Sequence, residues 1–104
     1  MGQEWLFQIH IEPKEGEFDK VAGKLENKTD LALFLNKPFK EPKWDFDKKD
    51  NTIDITVATH AGYKFGEQLV DDLNDELGAF IESGRVEIWE GDYPQKTKKL
   101  GKVI

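Results

Sequence analysis

The 104-residue chain contains no cysteine. That absence excludes disulfides, thiol nucleophiles, cysteine-ligated zinc and dithiol redox chemistry together. Long apolar runs are missing as well, none approaching the roughly 20 residues that cross a bilayer. The start, Met1 to Glu12, alternates around Glu4 instead of presenting a basic segment and an apolar block, so no signal peptide is expected. Leu6 stands where a myristoylation signal after Gly2 needs Ser or Thr. The expectation is a cytoplasmic protein with no membrane partner. The spacings of a phosphate loop, a dinucleotide fingerprint, a metalloprotease helix and a nucleophile elbow are also absent. No catalytic residue, cofactor or metal is therefore predicted. Asp45, Asp47 and Asp50 lack the glycine and closing glutamate of a calcium loop and have Lys48 and Lys49 among them.

Charge is plentiful and unevenly placed. The 21 acids all fall in residues 1–92, with 11 of the 15 bases, whereas residues 93–104 carry four lysines and no acid. The body is predicted as one α+β domain over residues 1–92, followed by a basic C-terminal tail over 93–104, in which Leu100, Val103 and Ile104 offer an edge strand as the alternative. An acidic body repels phosphates, so direct nucleic-acid binding is not expected, and a basic protein partner is the electrostatic complement.

Hydrophobic periodicity supplies the fold. Spacing of two marks half-buried strands and spacing near 3.6 marks helices with one buried stripe. Trp5, Phe7, Ile9 and Ile11 alternate; Phe18, Val21, Ala22 and Leu25 make a helical stripe; Trp44 with Phe46, then Ile53, Ile55 and Val57, alternate again. A long helix follows with Phe65, Leu69, Leu73, Leu77, Phe80 and Ile81 on one side, closed by Gly84 as a left-handed cap, and Val86 and Ile88 mark the last strand. The expected strands span residues 4–12, 43–47, 52–59 and 85–91, and the main helices 16–27 and 64–83. A short helical piece is read at Leu31 to Leu35, and Gly62 and Gly66 around Lys64 are read as a tight strand-to-helix turn. The order βαββαβ predicts a ferredoxin-like, four-stranded antiparallel sheet, order 4-1-3-2, with both main helices on one face and the other face open.

Two surfaces stand out. On the long helix, Glu67, Asp71 and Asp75 repeat at every fourth position, with Glu82 on the same side and Asp72 and Glu76 at the flank. Each like-charge pair costs about 0.2–0.5 kcal/mol in an isolated helix, which makes these six acids candidates for contact with a basic partner. On the open face, strand pairing can set His10 opposite Asp54 and bring Glu87 to its other side, with Gln8 and Trp89 nearby. Two carboxylates would raise the His10 pKa and orient the ring. His10 and His60 fall at opposite ends of neighbouring strands and are not expected to share a metal.

The run Phe7 to Gly16, with the sequence Phe-Gln-Ile-His-Ile-Glu-Pro-Lys-Glu-Gly, leads into an acidic helix start and resembles the first strand and helix of antibiotic-biosynthesis-type monooxygenase domains. The resemblance implies a ferredoxin-like chain that dimerises through its open sheet face. It covers about a quarter of the chain and assigns no site residue, because the family's active-site pattern has no counterpart here.

These features lead to a first expectation of a non-enzymatic acidic binding module, an immunity or inhibitor protein that occludes a basic partner such as a nuclease toxin. The alternative is a dimeric ligand-binding or regulatory domain using its open sheet face, and after it a small enzyme centred on His10.

Overall fold

Alternation carries directly into strand register. The computed structural model describes residues 4–27, 43–59 and 63–101. β1 (Trp5–Pro13) is paired antiparallel on one edge with β3 (Thr52–Thr59) and on the other with β4 (Ile81–Glu90). β2 (Lys43–Asp47) extends the sheet beyond β3, and β5 (Tyr93–Leu100) extends it beyond β4, giving five antiparallel strands in the order β2-β3-β1-β4-β5. α1 (Phe18–Asn27) follows β1, and α2 (Tyr63–Leu77) follows β3.

The register aligns the apolar rows. Ile9 faces Ile55 on one side and Val86 on the other; Phe7 faces Val57 and Ile88; Ile11 faces Ile53. All eight are buried, and Phe18, Val21 and Leu25 of α1 join Leu69, Val70, Leu73 and Leu77 of α2 in the same cluster. Both helices therefore cover one sheet face. Burying one such side chain contributes about 1.5–3 kcal/mol, so this single layer dominates the stability. Gly66 is explained by the same packing: a Cβ there would lie 2.9 Å from Ile88 Cδ1 and 3.1 Å from Phe7 Cε1, so glycine lets α2 settle close on β1 and β4. Close helix–sheet approach, not a tight turn, is the reason for a glycine at this position.

Three expectations are corrected. The sheet has five strands rather than four, because Tyr93–Leu100 pairs along β4 through its backbone while burying only Leu100. An edge strand needs few apolar side chains, and lysines on it discourage pairing with further chains. The long helix stops at Leu77, and after one 3-10 turn at Gly78–Phe80 the backbone at Ile81 is already extended, with φ −102° and ψ 125°. Phe80 and Ile81 still reach the core, which is why their spacing imitates helix. Gly84 is accordingly no helix cap. It sits within β4, opposite Ile11 and Leu100, where an added Cβ would lie 2.7 Å from the carbonyl oxygen of His10. The helical piece at 31–35, Gly62 and His60 lie outside the described residues.

Candidate functional site

The face of the sheet away from the helices carries the second set of alternating side chains. Period two puts Gln8, His10 and Glu12 of β1 on it, together with Asp54 and Thr56 of β3 and Arg85 and Glu87 of β4. Direct pairing sets His10 between Asp54 and Arg85, and Gln8 between Thr56 and Glu87.

His10 is the hub. Its Nδ1 lies 2.6 Å from Asp54 Oδ1 and its Nε2 lies 3.3 Å from Glu12 Oε1. A neutral imidazole can donate to one of these carboxylates, whereas a protonated ring donates to both. Glu12 is fixed from its other oxygen by the Ser83 hydroxyl, which donates to Oε2. That hydrogen bond, followed by the one from His10, holds the Glu12 carboxyl below its ordinary range. Glu87 is less engaged: half-buried, it approaches Arg85 Nε at 4.0 Å. The open face thus presents one carboxylate in contact with His10, a second held between Ser83 and His10, and a third that is available.

Two depressions adjoin at this centre. One, of about 460 Å³, lies towards β5 and is lined by His10, Glu12, Ser83, Arg85, Thr97 and Lys99 over Ile81 and Leu100. The other, of about 210 Å³, lies towards β3 and is lined by Gln8, His10, Asp54, Thr56, Arg85 and Glu87. His10 and Arg85 border both.

Of the open-face residues expected from the sequence, Gln8, His10, Asp54 and Glu87 converge. Glu87, however, sits beside Gln8, and Arg85 takes the place beside His10. Trp89 is set apart, paired with Leu6 beyond the smaller depression, and its indole N–H is buried without a hydrogen-bond partner among the described residues. Glu12, Thr56, Ser83, Arg85, Thr97 and Lys99 were not anticipated. Glu12 and Thr56 were legible, since each lies two residues along its strand from an expected site residue. Ser83, Thr97 and Lys99 were hidden by the misplaced start of β4 and the missing β5.

The six acids proposed for partner contact do not form one helix face. Glu67, Asp71, Asp72, Asp75 and Glu76 belong to α2, but Glu82 lies in β4 at the larger depression. Nor is their repulsion unrelieved: Lys98 of β5 donates to Glu67 Oε2 at 3.0 Å, and Gln68 Nε2 donates to Asp72 Oδ1 at 3.1 Å. Among the described residues, no group of three or more histidines and acids has the arrangement of a metal site, and no helix is long and apolar enough to cross a membrane.

No protein-family model matches the chain, and no curated protein matches it. Among solved structures, the chain is similar to a phage SAM lyase in complex with S-methyl-5'-thioadenosine, with 15% sequence identity and a TM-score of 0.59 over 98% of this chain and 92% of the lyase. At this identity the likeness is one of fold. It corrects the first functional expectation nonetheless. The architecture read as that of a non-enzymatic immunity or inhibitor protein is matched end to end by an enzyme, so neither this fold nor the small size argues against catalysis. The dimeric regulatory alternative gains no support from the likeness either.

Proposed function

We propose that this protein is an enzyme of S-adenosylmethionine (SAM) breakdown that releases S-methyl-5'-thioadenosine. The observation that carries the reading is the end-to-end similarity to a SAM lyase, which spans 98% of this chain and 92% of the lyase. The inner four strands with α1 and α2 form the ferredoxin-like unit of this reading, and β5 is an addition at one edge.

The chemistry suits a chain with no cysteine and no nucleophile motif. Sulfur in SAM is already a positively charged leaving group. When its bond to the amino-acid side chain breaks, both electrons stay on sulfur and a neutral thioether departs. In a lyase the carbon left behind is satisfied from within the substrate, by its own carboxylate or by the electrons of a neighbouring C–H bond whose proton passes to a base. The protein then supplies position and electrostatics more than covalent partners. Asp54 and Glu87 place negative charge where a cationic substrate would rest, and Glu87, whose ion pair among the described residues is the 4.0 Å approach to Arg85, is the group placed to take a proton. The net charge of −6 favours encounter with a cation.

Incubation of the purified protein with SAM, followed by chromatography of the products, tests the reading. Time-dependent release of S-methyl-5'-thioadenosine is expected from the wild type, with a fall of about 100-fold or more for Glu87→Gln, which keeps the shape and removes the charge. A wild-type protein that neither releases nor binds S-methyl-5'-thioadenosine would refute it.

A further inference from the structure

Resting on the lyase reading, we infer that the open face holds SAM in two compartments divided by His10 and Arg85, with the nucleoside in the larger depression and the amino-acid zwitterion in the smaller. The volumes sort the two halves of such a ligand: about 460 Å³ is in the range of pockets that hold drug-sized molecules, whereas about 210 Å³ suits a small polar fragment.

The linings sort them further. In the smaller depression, Asp54 and Glu87 offer carboxylates to an ammonium group, and Arg85 offers the fork that binds a carboxylate in bidentate fashion. Both signs are needed to hold an α-amino acid, and both line this one depression. The larger depression, with room for a purine, has the Thr97 hydroxyl and the Glu82 carboxylate at its margin to bond base and ribose. From β5 to β3 there are three interstrand steps, about 14 Å in all, which is comparable with an extended nucleoside joined through sulfur to a four-carbon amino acid. The sulfonium centre then falls at the divide, beside His10 and within reach of Glu87 from the neighbouring pair.

The test uses SAM and S-methyl-5'-thioadenosine as probes in titration calorimetry, because the second ligand lacks the amino-acid half. Arg85→Gln is expected to weaken SAM binding about tenfold or more, the worth of a charge-assisted pair, and S-methyl-5'-thioadenosine binding by no more than about threefold, since the side chain also borders the larger depression. Thr97→Trp, an exposed change on an edge strand, is expected to fill the larger depression and weaken both ligands about tenfold or more. Circular dichroism of each variant checks that the fold survives. Equal loss of both ligands in a folded Arg85→Gln, or unchanged binding in a folded Thr97→Trp, would overturn the two-compartment placement. Wild-type protein that binds and cleaves SAM while both variants behave like it overturns the placement alone. Wild-type protein inert towards both ligands overturns the lyase reading and the placement with it.

Discussion

Two glycines that look alike in the sequence should respond in opposite ways to the same substitution. Gly84→Ala places a Cβ 2.7 Å from the carbonyl oxygen of His10 and 3.2 Å from Leu100 Cβ. Carbon–oxygen contacts between neighbouring strands run at about 3.3–3.6 Å, so roughly half an ångström must be found. The oxygen belongs to β1, the central strand, which is paired on both edges, and Leu100 closes the other side. The cost of such overpacking is about 1–3 kcal/mol, reduced by the 0.5–1 kcal/mol that alanine gains over glycine in an element interior, for a net loss of about 1–2 kcal/mol. At about 4–8 °C per kcal/mol for a domain of this size, the melting temperature should fall by about 5–15 °C. Gly23, inside α1, has no heavy atom within 4 Å of an added Cβ. Gly23→Ala should therefore gain about 0.8–1 kcal/mol from helix propensity alone and melt several degrees higher. Scanning calorimetry of the two variants side by side is the assay. A Gly84→Ala protein that melts at or above the wild type would refute the claim that β1 cannot yield at His10.

Acid should weaken the wild type partly through Glu12. Its carboxyl is held below the ordinary 4.5, first by Ser83 and then by His10, so the stability it contributes is complete above that value and is lost as pH falls through the lowered one. Urea midpoints at pH 6 and pH 3 should therefore converge in Glu12→Gln relative to the wild type, and an unchanged acid limb would contradict the Ser83–Glu12–His10 arrangement. For β5, a double-mutant cycle between Lys98 and Glu67 should return a coupling of about 0.2–1 kcal/mol that shrinks in 1 M salt. A coupling of zero at low salt would mean that this contact does not tie β5 to α2.

What the sequence revealed, and what it hid, divides along physical lines. β2 and β3 are found at the expected residues because a hairpin of alternating side chains over a buried face admits one register. The inner strand order follows from handedness and connection rules, and with it the His10–Asp54 pair. Alternation says which face a residue occupies but not which neighbour it meets, so Arg85 and Glu87, two residues apart on one face, were interchangeable in advance, and only the β1–β4 register decides between them. β5 was legible only as an alternative to a tail, through Leu100 at its end, because Lys96, Thr97, Lys98 and Lys99 carry no hydrophobic period; its pairing is a property of the β4 backbone it covers. The end of α2 escaped for the converse reason, since Phe80 and Ile81 pack into the core from a turn and a strand at positions that also satisfy helical spacing.

The acidity of the chain likewise acquires a local meaning. The α2 acids sit on the helix layer, and the His10 centre opens on the other side of the sheet. A helix with its side chains is about 10–12 Å across, and charges further apart than about 8 Å are largely screened at physiological salt, so α2 contributes little to the potential at the centre. The field there comes from the residues at hand: Glu12, Asp54, Glu82 and Glu87 against Arg85 and Lys99, with His10 between them. Two of those acids are already engaged by His10 and Ser83. What remains to meet a ligand is close to balanced, Glu82 and Glu87 against Arg85 and Lys99. A site built only to attract a cation would leave out Arg85. Its place two residues along β4 from Glu87 is the feature that suits the proposed zwitterion better than a merely acidic surface would.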